Sequence, residues 1–382
     1  MIQKRELIVI SVNTKKRLQE FIKLPWNIYD PTSLWIPPLV HVQKQLLNID
    51  KNPFFEMAEM AMWIVKHGNN PVGRIAAIIN KAHNEFHKEK TGFWGFFESI
   101  DNQEVANLLF KTASTWLQDR GMNYLKGPVN LSTLHETGLL IKGYDTSPAI
   151  DTLYNPPYYQ RLILNSGFRL NKILLGFYLD QNVKKKPVIM PRLRKWSSIV
   201  QERSNVIIKP VSKRQFERNI DIACKLYNEI MMDNWGYYPV NEKMFRYVAN
   251  NFKELIIPEL TLIAEINSIP VGLSIAIPDV NPIIKKINGR LFPFGFLRLL
   301  MNYKRSRSLR VILMGVVKKH RFKGIETVFI QKTIDDGTGM GFEGADLSWL
   351  DSSNQNLINS FIKMKANPYK EFGIFELSLG KK

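Results

Sequence analysis

Short apolar runs bounded by polar turns recur along this chain, in an order that repeats. Residues 62–66 (Met-Trp-Ile-Val-Lys), the turn 67–70 (His-Gly-Asn-Asn) and residues 71–79 predict a β-hairpin. Residues 260–266, the turn Asn267-Ser268 and residues 269–277 predict another. A third strand follows each hairpin, the aromatic run 92–97 in one half and the apolar run 309–317 in the other. Between 101 and 120 the period becomes helical, with Val105, Leu108, Leu109, Thr112, Ala113 and Trp116 on one stripe. Asp101 or Asn102 supplies the cap of that helix and Gly121 its end. Residues 124–127 return to strand. The second half repeats the order with a helix from Gly324 to about Thr338, a strand at 345–350, a helix at 354–366 and a strand at 372–378.

Each half thus reads strand, strand, strand, helix, strand, helix, strand. That order predicts an α/β chain of two tandem domains, each a mixed β-sheet flanked by helices. The charged, proline-marked stretch 184–187 reads as the linker, placing the domains at 1–185 and 186–382. A chain of 382 residues is long enough for both.

Composition narrows the class. Hydrophobic residues are 45% and charged residues 23%, which fits a packed globular chain and excludes a disordered one. The single cysteine, Cys224, excludes an internal disulfide, a thiolate zinc cage and an iron–sulfur cluster within one chain. A reducing, cytoplasmic compartment is the expectation. Met1 to Glu6 lead into a short apolar run, 7–12, without a small-residue cleavage site, so no signal peptide is expected. The most apolar stretch, 291–301, contains Pro293 and Arg298 and falls short of the roughly 18 to 20 residues needed to span a bilayer.

Charge then changes the picture. The formal net charge is +19, and no acidic residue lies between Asp279 and Glu326. Lys285, Lys286, Arg290, Arg298, Lys304, Arg305, Arg307, Arg310, Lys318, Lys319, Arg321 and Lys323 all fall there, and a second basic stretch runs from Lys184 to Lys195. Such clustering concentrates anionic partners. Within the acid-free window, the apolar strand through Met314, Gly315, Val316 and Val317 enters a basic turn, and Gly324 opens a helix. Backbone N–H groups and the positive end of the helix dipole converge there, an arrangement suited to a pyrophosphate. Glycine allows close backbone approach, while Arg321 and Lys323 supply charge.

In these residues the chain resembles the GCN5-related N-acetyltransferase (GNAT) superfamily in a tandem form. The signature Arg/Gln-x-x-Gly-x-Gly/Ala is matched in its first four positions by Arg321-Phe322-Lys323-Gly324, with Ile325 next and Glu326 in place of the final small residue. The resemblance implies a coenzyme-binding segment of Met314 to Val317 and Arg321 to Thr327, with Asn354 opening the following helix, and acetyl-CoA or another acyl-CoA as the cofactor. It covers residues 200–382 by motif and order, and 55–180 by order and by the closing segment from Tyr154 to Phe168. The first half lacks the phosphate turn, since Glu98-Ser-Ile-Asp101 follows its third strand. The second lacks the tyrosine that in many members protonates the departing thiolate, because Phe361 stands there. One coenzyme site, in the second half, is therefore expected, with the first half shaping the acceptor pocket.

The resemblance implies direct acyl transfer to an amine. A backbone N–H near Met314 to Val316 would stabilise the oxyanion, and a carboxylate would serve as base. Glu265 and Asp351 are the residues chosen for that role, with Asp279 and Asp346 as further candidates at strand ends. Trp235, Tyr237 and Tyr238, near Tyr227, are expected to wall the acceptor pocket. Two other readings remain open: a Fem-type transferase that uses aminoacyl-tRNA, and a non-catalytic protein that binds nucleic acid or a partner through its basic face. The expected partner is a small-molecule or peptide amine, with nucleic acid not favoured and a homodimer allowed.

Three further segments carry expectations. Phe292, Phe294, Phe296, Leu297, Leu299, Leu300 and Met301 read first as a core insert between domains, and otherwise as a wall for an acyl chain or a membrane-surface contact. Asn130, His135 and Glu136 follow a strand, where polar side chains could reach a ligand. His83, Asn84, His87 and Glu89 sit in a segment read as loop, at a spacing that makes no convincing metal-ligand set.

Overall fold

The computed structural model describes residues 6–180, 188–303 and 306–380. The linker expected at 184–187, Met1 to Arg5, and the charges Lys304 and Arg305 lie outside the described residues.

In chain order the first half runs β1 (Leu7–Ser11), α1 (Lys15–Lys23), α2 (Pro25–Ile28), α3 (Val40–Leu46), β2 (Ala58–His67) and β3 (Asn70–Asn80). It continues with α4 (Lys81–His87), β4 (Thr91–Ser99), α5 (Gln103–Gln118), β5 (Tyr124–Gly127), β6 (Leu139–Lys142), α6 (Tyr158–Asn165) and β7 (Arg169–Asp180). The second half runs α7 (Ile189–Ser204), β8 (Val206–Pro210), α8 (Phe216–Met231), α9 (Glu242–Phe252), β9 (Thr261–Ile266) and β10 (Ile269–Pro278). It ends with α10 (Asn281–Lys286), α11 (Gly295–Asn302), β11 (Ser308–Val316), α12 (Ile325–Gly339), β12 (Gly344–Asp351), α13 (Gln355–Lys363) and β13 (Asn367–Ser378).

These elements gather into two compact units that are not consecutive stretches of chain. One comprises Met1–Leu174, Ile284–Gly295 and Lys370–Lys382, and the other Leu175–Ile283 and Phe296–Tyr369. In the first unit the strands lie in the order β1-β2-β3-β4-β5-β13, with β6 also pairing β13. In the second the order is β8-β9-β10-β11-β12-β7. The plan is the same in both: four antiparallel strands, then a parallel fifth, then a last strand taken from the opposite half of the sequence. The expectation from sequence order was that each half closes its own sheet. An amphipathic pattern fixes which face of a strand is buried, but not which sheet edge it joins.

The first unit's core stands on one helix. Helix α5 starts at Asn102, whose side chain accepts from the N–H groups of Glu104 and Val105. Its buried face is Val105, Ala106, Leu109, Phe110, Ala113 and Leu117. The stripe expected from sequence is turned by about a residue, leaving Leu108 and Trp116 at its margin. Close approach to the sheet explains the turn: a Cβ on Gly92 of β4 would stand 2.3 Å from Leu117. Phe110 stacks on Phe97 at 4.8 Å and meets Trp94 edge-on at 5.2 Å. The segment around His83 is helix α4 rather than loop, because the Asn80 side chain caps it by accepting from the His83 N–H.

In the second unit, Phe177 and Leu179 of β7 join Leu350 and the buried face of α13, Ile358 and Phe361. Phe361 meets Phe177 at 5.6 Å. No helix among the described residues is long and apolar enough to cross a membrane.

Candidate functional site

Strands β11 and β12 of the second unit run parallel and pair only through Ser308–Gly344, Leu309–Ala345 and Arg310–Asp346. Past Arg310 they part, while β11 stays laddered to β10 up to Val316–Gly272. A register shift between Ile275 and Ala276 leaves Ile312 as an extra residue on β11. The point of parting is pinned by a buried ion pair, Arg310 Nη1 to Asp346 Oδ1 at 2.7 Å. Ser348 Oγ and the Tyr369 hydroxyl donate to the other oxygen of Asp346, and Arg310 also donates to the Ser348 carbonyl. Asp346 is thus consumed in holding the strands, and the structure gives it no open side toward a substrate.

After Val316 the chain makes a turn of 3-10 helix, Lys318–His320, and α12 begins at Ile325 with Gly324 as its cap. Gly324 has φ +83°, and Phe322 has φ +64°, a conformation costly for any residue with a Cβ. A Cβ on Gly324 would also stand 2.8 Å from Val200 of α7. Both facts require glycine here. No acceptor among the described residues meets the N–H groups of Lys323, Gly324 or Ile325. Three amide donors therefore stand together at the positive end of a helix of 15 residues. Lys319 and Lys323 are exposed beside them.

Two side chains qualify the expected motif. The Arg321 guanidinium is not held out for a ligand. Its Nη1 donates to Asp233 Oδ2 at 2.6 Å, its Nη2 to the Ile230 carbonyl at 2.9 Å and its Nε to the Val316 carbonyl at 3.4 Å. Asp233, which also takes Lys318 at 3.3 Å, has its carboxyl held below the usual range, by Arg321 first and Lys318 next. Arg321 braces the turn against the end of α8, and Ile230 contributes again because a Cβ on Gly315 would stand 2.4 Å from its Cγ2. Glu326 is half-buried, and burial pushes its carboxyl up from its ordinary value.

The matching place in the first unit is filled by the protein itself. Strands β4 and β5 also pair in parallel for three residues, Thr91–Tyr124 to Phe93–Lys126, and then part. There the Phe96 N–H donates to Asn130 Oδ1 at 2.7 Å and the Ser99 N–H to the Tyr159 hydroxyl at 3.0 Å. Ile100 donates to the Val72 carbonyl and Asn102 to Ile100, while Glu104 and Val105 are capped by Asn102. Glu98 turns inward toward Arg74, accepts from Tyr159 at 2.6 Å, and is pushed above its ordinary range by burial. Asn130 and Glu136 bind each other, and His135 is buried against Ser132, so these residues fill the gap as structure.

Of the remaining expected site residues, all but Thr327 fall outside the turn. Glu265 lies on β9, beyond β10 from β11, and is ion-paired with Lys209 of β8. Asp351 accepts from the Ser353 N–H and hydroxyl, shaping the start of α13, where the Asn354 side chain caps Leu357. Asp279 accepts from the Asn281 N–H. Tyr237 and Tyr238 are buried, with the Tyr237 hydroxyl donating to Asn228, and Trp235 is half-buried. Thr327 donates its N–H to the Gly324 carbonyl inside the turn. Sequence reading missed Asp233, Ile230 and Val200; only the acidic residue just past an amphipathic helix could have hinted at the first.

The chain is 31% identical over 382 residues to Protein YghO of Escherichia coli (strain K12), covering 98% of this chain and 96% of that protein. It is 28% identical over 381 residues to the bacterial ceramide synthase of Caulobacter vibrioides, covering 98% of each. A solved tandem GNAT protein from the clavulanic acid biosynthesis pathway superposes with a TM-score of 0.57 at 9% identity, covering 99% of this chain and 100% of that one. A GCN5-related N-acetyltransferase from Sphaerobacter thermophilus gives 0.53 at 11% identity, covering 98% and 96%. No family model matches the chain. The solved structures establish the fold as tandem GNAT-like.

Proposed function

This chain belongs to the family of the Escherichia coli protein YghO, and from that membership and its tandem GNAT-like fold we propose that it is an acyl-CoA-dependent N-acyltransferase. The observation that carries the reading is the asymmetry between the two turns. In the first unit the Asn102 side chain caps the amides of Glu104 and Val105, and Tyr159 and Val72 meet those of Ser99 and Ile100; in the second no side chain caps the helix start, and the amides of Lys323, Gly324 and Ile325 meet no acceptor among the described residues. Oriented amides at a helix start receive a diphosphate, and Lys319 and Lys323 add charge for further phosphates. Arg321 and Asp233 keep the turn in shape.

The parting of β11 from β12 leaves the edge of β11 past Arg310 without a ladder partner on that side among the described residues, so its amides are placed to donate to a carbonyl oxygen on which charge builds. Acyl-CoA supplies an activated thioester there. The relative named as a ceramide synthase supports amide formation and a long acyl chain, since ceramide is a fatty amide.

The test is isothermal titration with acetyl-, medium- and long-chain acyl-CoA, beside a nucleic-acid oligomer at two salt concentrations. The expected result is saturable acyl-CoA binding at one site per chain, abolished in a folded Gly324→Glu variant. Oligomer binding that falls steeply with salt, without coenzyme binding, overturns the reading.

A further inference from the structure

The segment expected as a core insert is instead turned to solvent. Phe292 is 81% exposed, Phe294 69% and Met301 67%, and Phe296, Leu297 and Leu300 are exposed as well. On α11, Phe296, Leu297, Leu300 and Met301 follow one another at helical spacing on one face. Leu299, on another face, is half-buried, and the exposed Arg298 falls beside the apolar face. Large apolar side chains so close together are uncommon on a free protein surface and mark an interaction site.

Charge identifies what covers it. Lys286, Arg290, Arg298 and Arg307 are exposed within the stretch 280–325, which has no acidic residue. Arg307 pairs with Glu343 at 3.3 Å. A second copy of this chain, itself at +19, would bring like charge against like. Nucleic acid would use the arginines and stack on phenylalanines, yet it offers nothing to Leu297, Leu300 and Met301. A bilayer surface with anionic headgroups takes both parts: phenylalanine and leucine enter the boundary of the acyl chains while arginine and lysine stay at the headgroups.

We propose that residues 290–302 dock the protein on an anionic membrane surface. The docking rests on this segment alone and stands whether or not the turn at Gly324 binds acyl-CoA.

The experiment is flotation of the full chain with vesicles of phosphatidylcholine alone or with added phosphatidylglycerol, at low and high salt. Three proteins are compared: the wild type, Phe292→Ser/Phe294→Ser/Leu297→Ser/Met301→Ser, and Arg290→Glu/Arg298→Glu. All these positions are exposed, and a thermal melt checks that each variant folds. The wild type should float with the phosphatidylglycerol vesicles, and each variant should partition at least tenfold less. Single-stranded oligonucleotide binding should be unchanged in the serine variant. Equal flotation of wild type and serine variant overturns the proposal. So does oligonucleotide binding lost with the four apolar side chains, or a wild-type dimer that ignores vesicles and becomes monomeric in the serine variant.

Discussion

The guanidinium of Arg321 lies 2.6 Å from Oδ2 of Asp233, a residue 88 positions earlier, and this pairing braces the turn. Asp233 is exposed, so solvent screens the pair and its own contribution to stability is small. Arg321→Ala and Asp233→Asn should each weaken acyl-CoA binding a few-fold, and the double variant should be no weaker than the worse single one. Titration of the four proteins measures the coupling. Additive losses, with Arg321→Ala far the larger, would place the guanidinium on the phosphates.

If the turn holds coenzyme as proposed, Glu326 should give its affinity a pH dependence. Burial raises its carboxyl pKa, and a bound diphosphate favours the neutral form further. Binding should therefore be tightest at low pH, weaken as pH rises through the raised pKa, and level off above it. Glu326→Gln should flatten that profile and tighten binding two- to fivefold near neutral pH, matching about 0.3–1 kcal/mol for a charge at a helix start. Weaker binding by the glutamine variant would show that Glu326 helps the turn.

Removing Asp346 should act on stability before chemistry. The carboxylate is enclosed with Arg310, and taking it away leaves a buried guanidinium without its counter-charge, at a cost of about 3–5 kcal/mol. A denaturant midpoint well below wild type is expected for Asp346→Ala. Arg310→Met/Asp346→Leu should recover most of the loss. A stable but inactive Asp346→Ala would instead make Asp346 part of the reaction.

The first unit's turn should not take coenzyme. Asn102→Ala removes a cap and should destabilise by about 1 kcal/mol. Its acyl-CoA affinity and its stoichiometry of one per chain should equal those of the wild type. Calorimetry that finds two sites in either protein would contradict the asymmetry.

Much of this architecture was legible because strands and helices are written in local pattern. The hairpins 58–80 and 261–278, the cap at Asn102 and the strand-to-helix turn at Gly324 follow from neighbours within a few residues. What was not legible depends on distance in sequence. Nothing near Phe372 says that β13 closes the first sheet, and nothing near Arg321 points to Asp233. Glu98 stands in sequence where a phosphate turn would be, and nothing near it shows that Arg74 and Tyr159 turn it inward. The 292–301 segment was misjudged for the opposite reason: its apolar composition is local, but its exposure is a property of what fails to cover it.

The most direct measurement is amide hydrogen exchange of the whole chain with and without coenzyme A. Unpaired N–H groups at Lys323, Gly324 and Ile325 should exchange fast in the free protein and slow markedly on binding, while residues 98–105 stay unchanged. Slowing confined to 98–105, or no slowing at 323–325 under saturating coenzyme A, would contradict the account.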